Sequence, residues 1–189
     1  MKIYSYLIPL IIFFSCEKTI SQHSDHQNPV WVLADEIYDN EIGKKVFFQL
    51  RKERKLQVCE SGWGLRGKKK IPVMHCGFFY YEDINIDQAR ELLLSAANLY
   101  LATINENEKI RNFLETYPFK PENIEIRIFL HNSAGSLPSP EKLQVISMIN
   151  GVLEYDSDAP GTKFLTTIYK ETYEEAMAKI SNASKKVSL

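Results

Sequence analysis

Histidine and cysteine are the residues of this chain whose chemistry could be catalytic or metal-binding, and both are scarce. The sequence holds four histidines and three cysteines. His75 adjoins Cys76, and a thiol beside an imidazole can act as a nucleophile with its base or can bind zinc. Neighbouring side chains on a strand point to opposite faces, however, so His75 is better placed to meet Cys59 across a hairpin than to meet Cys76. Three candidate ligands without a Cys-x-x-Cys pair do not predict a metal site, and no motif predicts a cofactor.

His131 is the other histidine in a position typical of a functional residue. With Asn132 it follows a predicted strand and precedes a loop rich in serine and glycine, and such loops often carry site residues. No Gly-x-Ser-x-Gly nucleophile elbow accompanies the serines of that loop. A capping or turn role for His131 is therefore the preferred interpretation. A hydrolase whose site is assembled around His131, His75 or Cys59 in three dimensions remains the alternative hypothesis.

The predicted hairpin loop over residues 61–70, which we call the basic loop, is the most suggestive binding feature. Trp63 and Leu65 lie there among four cations, and apolar groups beside cations suit an anionic lipid surface, an acidic envelope component or an acidic protein. The candidate surface-binding residues are Trp63, Arg66, Lys68, Lys69 and Lys70. The alternative is a solvated hairpin tip in which Trp63 folds back onto the core.

The charge of the chain is balanced as a whole and uneven in detail. The formal net charge is −1, which gives no reason to expect nucleic acid as a partner. Residues 44–70 contain ten Lys or Arg against two Glu, whereas residues 82–125 contain nine Asp or Glu against four Lys or Arg. Apolar residues make up 44% and charged residues 25%, values typical of a globular domain.

The elements that would position these residues follow from hydrophobic periodicity and turn signals. Mixed helical spacing over 30–54 predicts a helix, and the basic run that ends it suits a helix C-terminus. Two strands flank the basic loop, which we place at residues 61–70. A long helix capped by Asp87 and a shorter helix over 106–117 come next. Alternation over 124–130 predicts a strand with one buried face. Further strands at 143–148, 151–155 and 163–169 precede a last helix over 171–180.

This order predicts the α+β class, a single domain with a mainly antiparallel sheet and helices packed on one face. Asn150-Gly151 is a strong type I′ turn signal, so the strands on either side of it should pair as a tight hairpin. The domain boundaries are residues 1–15 for a leader, 16–29 for a polar tether and 30–189 for the folded domain.

The first 15 residues have the composition of a secretory signal. Lys2 provides a positive start and residues 7–14 provide an apolar stretch that is too short to span a bilayer as a helix. The ending Phe13-Phe14-Ser15-Cys16 resembles the lipobox of bacterial lipoproteins, although that family favours leucine where Phe13 stands. The resemblance implies cleavage before Cys16 and attachment of diacylglycerol to its thiol, with acyl chains such as palmitate. The alternatives are a plain secretory signal, which implies a secreted or soluble periplasmic protein, and a buried N-terminal segment.

Export would also decide the state of the remaining cysteines. Cys59 and Cys76 form an even pair once Cys16 is assigned to lipid, and in an oxidising compartment the pair predicts one disulfide across the hairpin. Such a bond would stabilise the fold by about 3 kcal/mol. Two separate buried thiols are the alternative.

Two functional hypotheses remain open. The preferred one is a cell-envelope lipoprotein without enzymatic activity that binds or scaffolds a partner and is held to the membrane by its lipid anchor. Because Glu17 stands where an aspartate would retain the protein in the inner membrane, the resemblance implies the outer membrane. The alternative is the envelope hydrolase described above.

Overall fold

The structure, a computed structural model, describes residues 29–158 and 164–187. It opens with a helical rod composed of α1 (Pro29–Ile37), a π-helical segment (Tyr38–Gly43) and α2 (Lys44–Arg54). Ile37 and Gly43 both have right-handed helical dihedrals, so the three parts run on without a break. Lys55 adopts a left-handed conformation and ends the rod directly after its basic run. The helix predicted over 30–54 is therefore present, with a π-helical middle.

Six strands form one sheet in the order β1-β2-β3-β4-β5-β6. The strands are β1 (Gln57–Gly64), β2 (Val73–Tyr80), β3 (Ile124–Leu130), β4 (Leu143–Ile149), β5 (Val152–Asp158) and β6 (Leu165–Thr172). Four of the five neighbouring pairs are antiparallel and only β2 and β3 are parallel. The predicted α+β class with a mainly antiparallel sheet is confirmed.

β2 and β3 are parallel because α3 (Ile86–Glu106), which lies between them in the chain, returns the chain to the end of the sheet where β2 begins. Asn85 caps this helix: its side chain accepts from the Gln88 amide at 2.9 Å, and the Gln88 side chain accepts from the Asn85 amide at 3.0 Å. The expected cap at Asp87 was wrong, because the reciprocal pair begins two residues earlier. The helix predicted over 106–117 was also wrong, since only a 3-10 turn (Ile110–Phe113) forms there.

The helices make one layer on one face of the sheet. The α1–α2 rod and α4 (Tyr173–Val187) both contact α3, which lies against β3 and β4. Ile124, Ile126 and Ile128 point into this layer and are fully buried, whereas the alternate residues of β3 are half-buried on the other face. The predicted alternation of β3 is thus confirmed. We call the second face the open face, because no described helix packs on it.

Two further boundaries correct the predictions. Residues 61–64 belong to β1 rather than to the basic loop, which shortens the loop to 65–72. Glu171 was assigned to the last helix, but it is the penultimate residue of β6 and is buried. The turn prediction was right: Asn150 and Gly151 have φ values of +51° and +73°, the left-handed pair that a type I′ turn requires.

Candidate functional site

The open face offers two neighbouring groups of side chains. The register of β2 and β3 pairs His75 with Glu125, Gly77 with Arg127, and Phe79 with Phe129. On the other side of β2, Glu60 of β1 pairs with Gly77. Side chains on one face of a sheet stand in rows across the strands, so polar groups occupy one end of this surface and aromatic groups the other.

The polar group is held by two ion pairs, one that joins the basic loop to β3 and one that joins β3 to β1 across β2. Arg66 Nη2 lies 2.5 Å from Glu125 Oε1, and Arg127 Nη1 lies 3.7 Å from Glu60 Oε1. Both pairs are partly exposed, so water screens them and each contributes little to stability. Their main effect is on shape, because they fix two carboxylates and two guanidinium groups around His75.

Two glycines let this polar group lie close to the backbone. A Cβ at Gly77 would stand 2.4 Å from Glu60 Cγ, and a Cβ at Gly62 would stand 3.1 Å from His75 Cε1. The side chains of Glu60 and His75 therefore cross their neighbouring strands at positions where any larger residue would displace them. We call this group, which lies directly on the backbone of β1 and β2, the polar floor.

His75 is neutral at physiological pH in this setting. Burial lowers the pKa of its imidazole below the ordinary value of 6.5, and the nearby Arg127 and Arg66 act in the same direction. The carboxylates of Glu60 and Glu125 oppose that shift without reversing it. A neutral imidazole can donate one hydrogen bond and accept another, which suits recognition of a polar partner.

The aromatic group lies further along the same strands. The ring of Phe79 stands 6.0 Å from that of Phe129 and 5.2 Å, edge to face, from the imidazole of His131. Tyr81 approaches the His131 ring at 5.4 Å and that of Phe79 at 6.4 Å. Aromatic rings at these separations attract one another and make a rigid apolar shelf. All four side chains are half-buried, so each keeps exposed surface for contact with a partner.

The structure corrects the surface role predicted for Trp63. Its side chain is only 6% exposed and its ring lies 5.2 Å from that of Trp31. Trp63 therefore holds the helical rod against β1 and does not reach a membrane surface. Sequence reasoning had left this arrangement open as the alternative.

The cations of the basic loop are exposed and in part engaged. Arg66 reaches over the open face to Glu125, and Lys68 Nζ lies 2.9 Å from Glu115 Oε1. Lys69 and Lys70 are exposed and extend from the loop. The loop is thus attached to the rim of the open face and to the segment after α3, and Lys69 and Lys70 form no ion pair with the described residues.

Cys59 and Cys76 both carry thiols in this structure. Cys76 is buried, and burial raises the pKa of its thiol, with further contributions from Glu60 and from Cys59 nearby. A raised pKa keeps Cys76 protonated and makes it a poor nucleophile. The disulfide between these two residues stays a prediction.

The candidate hydrolase residues do not converge. Six residue steps separate Glu125, the residue paired with His75, from His131, a distance of about 20 Å along the strand direction. His131 lies against the rings of Phe79 and Tyr81, and its Nδ1 is 3.4 Å from the Phe129 carbonyl oxygen. No group of three or more His, Cys, Asp or Glu within the described residues could hold a metal ion.

A second charged cluster lies under the helices and is structural. Glu171 Oε1 accepts hydrogen bonds from Arg90 Nε at 2.6 Å and from the Tyr155 hydroxyl at 2.7 Å, while Oε2 accepts from Lys179 Nζ at 2.6 Å. Burial opposes ionisation of Glu171, but these three donors outweigh it and lower the pKa of the carboxyl. Its side chain is 1% exposed, so both oxygens are used internally and no substrate can reach them. We call this cluster the Glu171 network.

The open face was missed by sequence reasoning except for His75 and His131. Glu125, Arg127 and Phe129 alternate with the buried isoleucines of β3, which marks them as members of the other face. What the sequence could not show is that β2 lies parallel beside β3, which brings His75 and Phe79 into the same rows.

The predicted lipidation site at Cys16 and the histidines at 23 and 26 lie outside the described residues. Within the described part of the chain, no helix combines the length and the hydrophobicity that crossing a bilayer requires. No protein-family model, no curated protein and no solved structure matches this chain.

Proposed function

We propose that this protein is an exported cell-envelope lipoprotein, anchored through Cys16, that binds a partner protein through its open face and performs no catalysis. The observation that carries the binding role is the aromatic shelf of Phe79, Tyr81, Phe129 and His131 beside the polar floor around His75. Rigid aromatic groups next to partly exposed charges are the composition that protein interfaces favour.

The basic loop contributes to the rim of this surface. Arg66 is already fixed over the polar end of the open face through Glu125, and Lys69 and Lys70 lie in the same loop, at the opposite end from the shelf. A partner that covers both the shelf and the polar floor would therefore meet these cations. Charges at the rim of an interface act mainly on the association rate and depend on salt. The proposal therefore assigns affinity to the shelf and steering to Arg66, Lys68, Lys69 and Lys70.

The anchor is supported by the sequence alone, through the apolar leader and the Ser15-Cys16 ending. Several acyl chains at one cysteine would hold the protein stably at the membrane. Residues 17–28 would then separate the lipid from the folded domain, which leaves the open face accessible to a partner in the same compartment.

Site-specific photo-crosslinking in the intact envelope tests the binding surface. A photoreactive phenylalanine replaces Phe129 in one variant and Tyr81 in a second, and Phe164, which is 81% exposed at the start of β6, serves as the matched control. We expect one adduct of the same mass from the first two positions and none from the control.

Adducts of equal yield at all three positions would show only random collisions. Their absence at Phe129 and Tyr81, in variants that fold with the thermal stability of the parent, would remove the open face from the account.

A further inference from the structure

The outer surface of α2 carries an exposed phenylalanine surrounded by cations. Phe48 is 72% exposed, although an aromatic ring usually covers apolar surface in a folded protein. Its four neighbours on the helix, at the positions three and four residues before and after it, are Lys44, Lys45, Arg51 and Lys52. All four are exposed. We call these five residues the α2 patch.

Internal contacts neutralise little of this charge. Lys44 Nζ bonds the uncharged Asn40 side chain at 2.7 Å, and Lys45 forms a single ion pair, 3.1 Å long, with Glu106, in which both side chains are more than half exposed. Arg51 and Lys52 form no ion pair with any described residue. Like charges three and four residues apart destabilise a helix. A negatively charged partner outside the domain would relieve this repulsion.

The surface around Phe48 is slightly concave. A shallow groove is lined by Lys44, Lys45, Phe48, Gln49, Lys52 and Glu53. Glu53 is the one acid in it, which leaves the groove with a net positive charge. An apolar ring with cations around it matches the boundary of an anionic bilayer, where the ring enters the acyl region and the cations meet the phosphates.

The rest of the helical rod limits the contact to α2. Asp35, Glu36, Asp39 and Glu41 make the first half of the rod acidic, so an anionic surface would repel it. The opposite side of α2 is occupied by the core, where Val46 and Leu50 are buried and Phe47 packs edge to face against Phe78. The α2 patch therefore points away from the sheet and from its open face.

We infer that the α2 patch binds the anionic phospholipid surface of the membrane that carries the anchor. This inference rests on the proposed lipidation of Cys16 for its geometry. Thirteen residue steps join Cys16 to Pro29 and span at most about 45 Å, whereas Phe48 lies about 29 Å along the rod from Pro29. The anchor can thus stay inserted while the α2 patch reaches the same bilayer, and the open face then turns toward the compartment.

The test compares two kinds of vesicle with the protein as isolated from its host. Vesicles of phosphatidylcholine alone report the contribution of the anchor, because they carry no net charge. Vesicles that also contain phosphatidylglycerol report the additional contribution of the cations. The ratio of the two partition coefficients isolates the α2 patch, and binding to the neutral vesicles measures the anchor separately.

The decisive variant replaces Lys44, Lys45 and Lys52 with serine. One cation near an anionic surface contributes about fivefold in affinity at low salt, so we expect the ratio to fall by about a hundredfold when three cations are removed. The matched control removes the same charge elsewhere, through Lys120→Ser, Lys142→Ser and Lys170→Ser, and we expect the ratio to change by less than about threefold. Equal losses in the two triple variants would overturn the inference.

Fluorescence reports directly where the ring lies, and it does not depend on correct folding of the triple variants. In the Phe48→Trp variant we expect the emission to shift to shorter wavelength with phosphatidylglycerol vesicles only, since Trp31 and Trp63 are already packed inside the domain. Leu137→Trp, at a residue 66% exposed in the loop before β4, should show no such shift. An unshifted Phe48→Trp emission with bound vesicles would contradict the inference. Loss of binding to neutral vesicles would instead count against the anchor.

Discussion

The two faces of the sheet hold charge in opposite ways. Beneath the helices, Glu171 uses both carboxylate oxygens on Arg90, Tyr155 and Lys179 and is shielded from solvent. On the open face, the pairs of Arg66 with Glu125 and of Arg127 with Glu60 are single contacts that keep part of each group exposed. A charged cluster whose donors and acceptors are all satisfied internally stabilises the fold, whereas one that keeps accessible groups can bind a partner.

The largest effect should come from the Glu171 network. Removing one partner of a buried pair leaves the other charged and uncompensated, which typically costs 3–5 kcal/mol, so we expect Glu171→Gln to lower the free energy of unfolding by about 3 kcal/mol. Denaturant unfolding measures it. The matched variant on the open face, Glu125→Gln, should cost less than about 1 kcal/mol. Similar losses in both would erase the distinction between the faces.

The next largest effect contrasts neighbouring residues of β3. Ile128 is fully buried against the helices, so Ile128→Ala should cost about 3 kcal/mol through lost burial and a cavity. Phe129 points to the open face and keeps exposed surface, so Phe129→Ala should cost about 1 kcal/mol even though it removes a larger side chain. Thermal and denaturant unfolding should rank the two in this order; the reverse order would mean that the open face is covered.

A smaller effect should appear as a pH dependence from His75. Its pKa is lower in the folded protein than the ordinary 6.5, so the unfolded chain takes up the proton first. The contribution of His75 to stability is therefore complete above about pH 6.5 and is lost as the pH falls from there toward the folded pKa. We expect His75→Gln to flatten the stability profile in this window. An unchanged slope would show that His75 is as solvated as in the unfolded chain.

The smallest effect should be a change in the pKa of His75 caused by Glu60, whose carboxylate lies over Gly77. Glu60 is the stronger of the two carboxylates that raise the pKa of His75 against burial, so Glu60→Gln should lower that pKa further. NMR titration of the imidazole measures it. The control Glu41→Gln removes an acid on the helical rod and should leave the His75 titration in place. A rise of the pKa in Glu60→Gln would show that the polar floor is arranged differently.

Sequence reasoning predicted correctly the parts of the fold that depend on local signals. The helix over 30–54, the alternation of β3 and the Asn150-Gly151 turn all depend on residues close in the chain, and each prediction was confirmed. The predictions that failed depended on tertiary contacts. A polar stretch after α3 forms only a short turn, and Glu171 stays in β6 because Arg90 and Lys179 reach it from two helices.

The candidate site was less accessible to sequence reasoning for the same reason. His75 and His131 were found by residue type, but their neighbours depend on the parallel pairing of β2 with β3, which no local pattern of residues predicts. For Trp63 the sequence was misleading. Its position beside cations predicted a surface-binding residue, whereas its ring packs against Trp31 and is buried in the core. Composition identified the α2 patch as basic, and only exposure of Phe48 distinguished it from a solvated helix end.

The central claim is that the chain leaves the cytoplasm and is held to a membrane by a lipid on Cys16. Intact mass spectrometry of the protein recovered from the host's membrane tests it most directly and reports the state of Cys59 and Cys76 in the same spectrum. We expect a polypeptide that begins at Cys16 and carries the additional mass of acyl chains. Full-length, unacylated protein in the soluble cytoplasm would contradict the account.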